Sequence, residues 1–222
     1  MISNELQIEP WRARLRAHGR VQIPGFLQDE AALRLHQCLR DEVPWETAQR
    51  TDAALADGQQ RSALPGSDED AAALAATCLR AREGFEFYFD RYRMIDARRD
   101  GTDPQLVLHA VVDFLNSPQF LDFARQLTGD PAIRMVSAIG VRYRAGHFLR
   151  AHNDLANDEN RAFAYVINLS RQWSPDWGGL LHFLDPEQRR VVDTFPPLGN
   201  SLSLFRGPQP HVVSLAAPWA GP

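Results

Sequence analysis

The chain has 222 residues, of which 44% are hydrophobic and 23% charged, typical values for a globular protein of one domain or one domain with an elaborated end. A formal net charge of −4 argues against nucleic acid or an anionic membrane as the main partner. All 24 residues counted as Lys or Arg are arginine, which excludes lysine chemistry such as a Schiff base or a Walker-type phosphate site. A side chain that holds an anion by charge is therefore expected to be arginine or, failing that, histidine.

Cellular location is predicted from three sequence features. Cys38 and Cys78 stand in no zinc-binding spacing and are interpreted as buried thiols in a reducing compartment. No apolar stretch approaches the roughly 18 residues that a membrane span needs. The first residues lack the basic and apolar regions of a secretion signal. We therefore expect a cytoplasmic protein with no membrane partner.

Residues 1–132 carry mainly helical signals. Apolar residues recur at helical spacing after Asp29, which is predicted to cap that helix. Ser117 precedes a proline and Gly129 follows the next apolar run, the expected start and end of another helix. Residues 84–94 are rich in aromatic side chains and are compatible with either a buried strand or a helix. Residues 47–69 are polar and are predicted to form a surface loop.

After residue 132 the pattern changes to short β-type runs separated by Gly, Pro, Asn and Asp. Regular short spacing of this kind is typical of an antiparallel sandwich or barrel. We therefore predict an α+β protein, with residues 1–132 as a helical layer that supports a mainly β core in residues 133–222. The predicted strands lie within residues 134–143, 148–154, 162–170, 179–184, 190–195, 201–205 and 211–215.

Candidate metal ligands lie in two of these runs. His152 and Asp154 are two residues apart, so a strand would present both side chains on one face. His211 opens a later run and would complete a set of two histidines and one carboxylate, which leaves open positions on non-haem Fe(II). A closed structural zinc site would instead favour thiolates. A polar strand end without metal is the alternative reading of the His152 motif by itself.

Further features stand in order around these residues. Tyr143 and Gly146 precede His152, and the segment 177–180 (WGGL) lies between the two ligand strands. A glycine pair at a strand lets a backbone or a ligand approach closely. Taken together with RVQIPGFL near the N-terminus, this ordered set resembles the 2-oxoglutarate- and Fe(II)-dependent oxygenases, and among them the prolyl 4-hydroxylase-like branch. The resemblance implies a double-stranded β-helix (jelly roll) for the core.

The resemblance also implies roles for single residues. His152, Asp154 and His211 would bind Fe(II) and form the catalytic centre. Tyr143 would face the pocket and hydrogen-bond the co-substrate 2-oxoglutarate or the substrate. Gly179 would leave room beside the metal for the substrate.

Arg161 lies where relatives often contact substrate at the mouth of the pocket, so the resemblance makes it a substrate-binding candidate. The implied reaction consumes 2-oxoglutarate and O₂, with ascorbate as a further candidate cofactor, and hydroxylates an unactivated C–H bond. The expected substrate is a prolyl residue in a protein or peptide. A free amino acid or other small molecule is the alternative substrate, and an inactive β-helix module that binds a partner is the alternative function.

One part of the family pattern is missing. Relatives hold the far carboxylate of 2-oxoglutarate with a basic residue on a last strand beyond the distal histidine, whereas no basic residue follows His211 here. We expect a truncated chain; the alternative is a protein that has lost this strand and binds 2-oxoglutarate poorly or not at all. Arg206 is the fallback partner for that carboxylate.

Overall fold

The computed structural model describes residues 1–50, 64–154 and 162–221. The helices in these ranges are α1 (Ile8–His18), α2 (Asp29–Asp41), α3 (Asp68–Arg80), α4 (Met94–Asp100), α5 (Leu108–Leu115) and α6 (Pro118–Thr128). The strands are β1 (Arg20–Pro24), β2 (Glu46–Gln49), β3 (Phe87–Tyr92), β4 (Gly140–Arg142), β5 (Phe148–His152), β6 (Phe163–Asn168), β7 (Leu181–Leu184), β8 (Val191–Phe195), β9 (Ser201–Arg206) and β10 (His211–Val213).

Two antiparallel sheets form the centre of the molecule. The smaller sheet has the strand order β1-β9-β6, and the larger has the order β2-β3-β5-β10-β7-β8, with β4 also paired to β3. Strands that are neighbours in the sheets are often distant in sequence, as expected for a barrel-like core. The predicted α+β class with a mainly β core is confirmed.

The smaller sheet separates the helical layer from the interior of the β core. Val21 and Ile23 on β1 and Leu202 and Leu204 on β9 are buried in one cluster with residues of α1, α2, α5 and α6. Side chains alternate between the two faces of a strand, so Phe205 lies on the opposite face, where it packs in a second cluster with residues of the larger sheet. The interior of the β core is therefore lined by this second face.

Helix ends follow local sequence signals in one case and depart from them in another. The Ser117 hydroxyl accepts a hydrogen bond from the Phe120 backbone N–H, and Gly129 ends α6 at φ 73°, as predicted. Asp29, by contrast, is the first residue of α2, and Gln28 precedes it as the capping residue without a side-chain cap. The predicted capping role of Asp29 is wrong, although its charge still suits the helix N-terminus.

Residues 1–132 contribute strands as well as helices. β1 and β2 have no counterpart in the sequence prediction, and the aromatic stretch 84–94 contains β3. Both β1 and β3 lie within the sheets rather than outside them. Of the predicted polar loop 47–69, residues 51–63 lie outside the described part of the chain, and β2 and α3 occupy its two ends. The division of the chain at residue 132 stays a prediction.

The two cysteines differ in their environment. Cys38 is buried in the helical layer, as predicted, whereas Cys78 is exposed on α3, so its predicted burial is wrong. Among the described helices, none has the length and apolar character needed to cross a membrane. The cytoplasmic location stays a prediction.

A buried ion network ties α3 to the larger sheet. Arg144 donates from Nε to Asp90 at 2.8 Å and from Nη2 to Asp70 at 2.7 Å. Asp90 on β3 is fully buried. Burial opposes the charge on Asp70, but hydrogen bonds from the Tyr88 hydroxyl, the Gly66 backbone N–H and Arg144 outweigh it and lower the pKa of Asp70 to about 2. The network stabilises the fold above the usual carboxyl pKa of 3.8.

Replacing Arg144 by glutamine is expected to lower the free energy of unfolding by about 2–4 kcal/mol, because the buried Asp70 loses its cation and the buried Asp90 keeps only Arg142. Because the pKa of Asp70 is depressed, its stabilisation is lost as the pH falls from about 4 to about 2, and the variant should lose less over that range. Urea unfolding followed by tryptophan fluorescence measures both effects. The control is R99Q, which removes an exposed ion pair with Asp100 and should change stability by no more than about 0.5 kcal/mol. An equal loss of unfolding free energy in R144Q and R99Q would contradict a stabilising role for the buried ion network.

Candidate metal centre

Three predicted ligands converge at one point of the larger sheet. His152 is the last residue of β5, His211 is the first residue of β10, and the two are direct cross-strand partners. Asp154 follows two residues after His152. One ligand atom from each side chain lies within 4.8 Å of the other two. The structure therefore brings the three predicted ligand side chains together.

The carboxylate reaches the histidines by a turn rather than by strand alternation. β5 ends at His152, and Asp154 adopts a left-handed backbone with φ 59°. Its Oδ1 lies 3.2 Å from His152 Nε2, and its Oδ2 lies 3.7 Å from His211 Nε2. The sequence argument, that residues i and i+2 of one strand share a face, gave the right neighbours for the wrong reason.

A change of register at β5 also shapes the site. His211 pairs with His152, but Val213 pairs with Leu149, so β5 has one residue more than β10 between these pairs. Such a bulge changes the direction in which the following side chains point. The two imidazole rings lie with their centroids 4.1 Å apart.

Backbone carbonyls fix which nitrogen of each histidine is available. His152 Nδ1 lies 3.0 Å from the Arg150 carbonyl oxygen, and His211 Nδ1 lies 2.7 Å from the Gln209 carbonyl oxygen. A carbonyl only accepts, so each Nδ1 is assigned the proton and donates it. Each Nε2 then carries the lone pair and faces the shared centre, the arrangement that metal-bound histidines use.

The chemistry of this donor set fits a divalent metal. Burial, followed by the nearby His152, lowers the pKa of His211, so its imidazole is neutral near pH 7 and able to bind metal. Two imidazoles and one carboxylate on one side of a centre match the facial arrangement of non-haem Fe(II) sites. The residues present therefore fit the predicted iron.

Aromatic rings from both sheets line the interior next to the cluster. The Phe205 ring lies 4.8 Å from the His211 ring and 5.1 Å from the Phe183 ring. Phe183 is fully buried and pairs directly with His211 on the neighbouring strand. This wall shields one side of the metal centre from water.

A row of rings extends from the metal centre along β3. Phe85, Phe87 and Phe89 alternate with buried residues and so share one face. Phe85 lies 5.8 Å from the His152 ring, successive phenylalanine rings lie 5.9 and 5.4 Å apart, and the Tyr143 ring lies 5.6 Å from Phe89. We call Phe85, Phe87, Phe89 and Tyr143 the aromatic row.

Tyr143 therefore stands at the far end of the aromatic row from His152. Burial raises the pKa of its phenol, so the hydroxyl stays protonated at neutral pH. The structure places its ring against Phe89 rather than against the triad. Its predicted contact with 2-oxoglutarate or substrate stays a prediction.

Among the remaining predicted site residues, the structure describes Arg206 and Gly179. The Arg206 guanidinium packs over the Phe163 ring at 5.2 Å, on the face of β9 opposite Phe205 and thus away from the interior. Around Gly179 a Cβ atom would meet nothing within 4 Å, whereas at Gly178 it would collide with the Leu215 carbonyl oxygen. Gly178 is thus the glycine that close packing requires. Arg161 lies outside the described residues.

Sequence reasoning missed the residues that line the interior. Phe183, Phe205 and the phenylalanines of β3 were not singled out, and neither was Arg20, which projects into the core from β1. The signal that was available is the alternation of polar Arg20 and Gln22 with apolar Val21 and Ile23, which is typical of a strand with two different faces.

Residues 139–219 match the family model described as the 2OG-Fe(II) oxygenase superfamily. A crystal structure of an oxidoreductase of the 2OG-Fe(II) oxygenase family from Burkholderia pseudomallei is similar to the chain, with a TM-score of 0.60 and 20% identity over 98% of this chain and 88% of that one. The predicted family resemblance is confirmed.

A second similar fold belongs to a prolyl hydroxylase from Trichoplax adhaerens, solved in complex with a peptide fragment of the hypoxia inducible factor oxygen degradation domain. Its TM-score is 0.55, with 16% identity over 92% of this chain and 81% of that one. No curated protein matches the sequence. At these identities the solved structures establish the oxygenase fold, and the His152, Asp154 and His211 cluster lies within the matched residues 139–219.

Replacing Asp154 by alanine is expected to weaken Mn(II) binding at least about 100-fold, since even residues that only support metal ligands contribute about 10- to 100-fold. Isothermal titration calorimetry with Mn(II) measures the change. The control is D113A, which removes an exposed carboxylate that pairs with Arg98 and should leave Mn(II) affinity unchanged. If D154A binds Mn(II) with wild-type affinity, Asp154 is not a metal ligand.

Proposed function

We propose that this chain is an Fe(II)- and 2-oxoglutarate-dependent dioxygenase that hydroxylates a prolyl residue in a peptide or protein. The observation that carries the proposal is the cluster of His152, Asp154 and His211, with both Nε2 atoms facing one carboxylate. The family resemblance supports the reaction class. The finer choice of substrate rests on the aromatic row.

Bound at this cluster, iron with 2-oxoglutarate would supply the O₂-activating chemistry of the reaction. The overall balance converts 2-oxoglutarate, O₂ and a C–H bond into succinate, CO₂ and a C–OH bond. The residues of the chain would hold the metal, orient its ligands and shield the centre from water. Backbone carbonyls orient the two imidazoles, the Asp154 turn brings in the carboxylate, and Phe205 and Phe183 exclude water from one side.

The aromatic row supports a proline-containing substrate. Phe85 is 38% exposed and contacts His152, whereas the other three rings of the row are partly buried. The row is therefore most open to solvent where it begins, at the metal centre. Grooves lined by aromatic rings bind proline-rich segments, because the rigid pyrrolidine rings pack on them with little loss of entropy. A peptide laid along the row would bring one of its residues beside the metal. The fold neighbour from Trichoplax adhaerens is itself a prolyl hydroxylase in complex with a peptide.

The direct test supplies the chain with Fe(II), 2-oxoglutarate, O₂ and ascorbate, together with a proline-rich peptide. We expect succinate to form and the peptide to gain one oxygen atom on proline, measured by mass spectrometry. A matched peptide with alanine in place of proline should remain unmodified. Hydroxylation of free proline but not of the peptide would favour the small-molecule alternative, and absence of succinate with every substrate would contradict the enzyme assignment.

The substitution F87A is expected to raise KM for the peptide about tenfold, equivalent to about 1.4 kcal/mol of lost ring contact. It should leave Mn(II) affinity unchanged, because Phe87 is not a ligand. Steady-state kinetics over a range of peptide concentrations measures KM. The control is W219A, which removes an exposed aromatic ring outside the row and should leave KM unaltered; equal KM values for F87A and wild type would exclude the row from substrate binding.

A further inference from the structure

The face of β3 that carries the aromatic row becomes basic at its far end. Phe87 and Phe89 alternate with buried residues along β3, and the same alternation places Arg91 on their face. Arg93 follows two residues later, just beyond the end of the strand. The side chain of Arg91 is 24% exposed and that of Arg93 is 51% exposed. A line of rings that begins at the metal centre therefore leads to two accessible guanidinium groups.

Glu46 on β2 is the carboxylate that both arginines contact. Arg91 Nε donates to Glu46 Oε1 at 3.2 Å, and Arg93 Nε donates to the same oxygen at 3.1 Å. Glu46 is the direct cross-strand partner of Arg91, and the partner on the other side, Val141, carries no charge. Two cations thus share one carboxylate, which leaves one positive charge unbalanced. We call Arg91, Arg93 and Glu46 the basic end of the row.

Most donors of the two guanidinium groups remain available to a ligand. Each Nε is used by Glu46, and no residue in the described ranges accepts a hydrogen bond from Nη1 or Nη2 of Arg91 or Arg93. These nitrogens form the fork that binds a carboxylate with two parallel hydrogen bonds. The basic end therefore combines an unbalanced positive charge with two forks that a second carboxylate can use.

Arg98 on the following helix, α4, shows the contrasting case. Its Nε and Nη2 donate to the two oxygens of Asp113 at 3.0 and 3.1 Å, so this arginine has a carboxylate of its own. Its side chain is 47% exposed, close to the value for Arg93. Because its charge is balanced and its donors are used, Arg98 attracts a further anion less than the basic end does. It is the matched control for the experiment below.

We propose that Arg91 and Arg93 bind an acidic side chain of the peptide substrate, so that the chain selects prolyl peptides with an aspartate or glutamate at a fixed distance from the reacting proline. The proposal rests on the proposed function. Phe85 and Arg91 are six residues apart, which corresponds to roughly 20 Å along an extended strand. A proline-rich peptide rises about 3.1 Å per residue. With its reacting proline beside Phe85 and His152, the peptide would reach the basic end about six residues away.

The experiment measures binding of labelled peptides to the Mn(II)-loaded chain by fluorescence anisotropy. Each peptide has a single central proline and carries aspartate, asparagine or lysine about six residues before or after it. We expect aspartate at one of these two positions to lower Kd about fivefold relative to asparagine, the effect of a well-placed exposed ion pair. Lysine at that position should raise Kd. Aspartate moved to within three residues of the proline should give no gain.

Three variants assign the preference to the basic end. R91Q should lose most of the gain from aspartate and bind the asparagine peptide like wild type. E46Q removes the competing carboxylate and should increase the gain several-fold, a change in the opposite direction that loss of a structural contact would not produce. R98Q should keep the wild-type preference. Should R91Q not fold, E46Q decides, and an unchanged gain in E46Q would overturn the proposal.

The two levels of the proposal fail in different ways. If the wild type hydroxylates no prolyl peptide when supplied with Fe(II), 2-oxoglutarate and O₂, the proposed function fails and the role of the basic end fails with it. If peptides are hydroxylated but aspartate gives no gain, or R91Q keeps the gain, the role of the basic end is overturned while the proposed function stands. An equal gain from aspartate at every position would overturn the fixed distance, because it would indicate general charge attraction.

Discussion

The pairing of His211 with His152 across β10 and β5 is the contact on which the site depends. β10 lies between β5 and β7, so one register sets the position of His211 relative to both His152 and Phe183. A slip of one residue would turn His211 to the other face of the sheet. The slip would separate the metal ligands from one another and from the aromatic wall of Phe183 and Phe205. It would also break the line of cross-strand partners that runs from His211 through Phe183 to Asp193.

Two supports hold that register from outside the site. The Arg144 network joins β3, which pairs with β5, to α3 through the buried Asp90 and Asp70. On the other side, the Leu215 carbonyl packs against Gly178, where any side chain would collide with it. Neither support touches the metal centre, yet both limit movement of the strands that carry it.

The sequence allowed the ligands to be predicted because their spacing is local or is shared with a known family. His152 and Asp154 are two residues apart, and His211 opens a recognisable β run. Their mutual distances could not be predicted, because they depend on a bulge in β5 and on the left-handed backbone of Asp154. Arg20 escaped notice for a similar reason: only the long-range pairing of β1 with β9 places it opposite Phe205. Because residues 1–132 were predicted to be helical, β1 was not predicted.

The metal centre thus consists of two imidazoles and a carboxylate that face a single point, with a row of aromatic rings leading toward it. The most direct test is a crystal structure from crystals grown without oxygen in the presence of Mn(II) and 2-oxoglutarate. The account predicts one ion within about 2.0–2.2 Å of His152 Nε2, His211 Nε2 and an Asp154 oxygen. An ion bound elsewhere, with these three side chains uncoordinated, would contradict it.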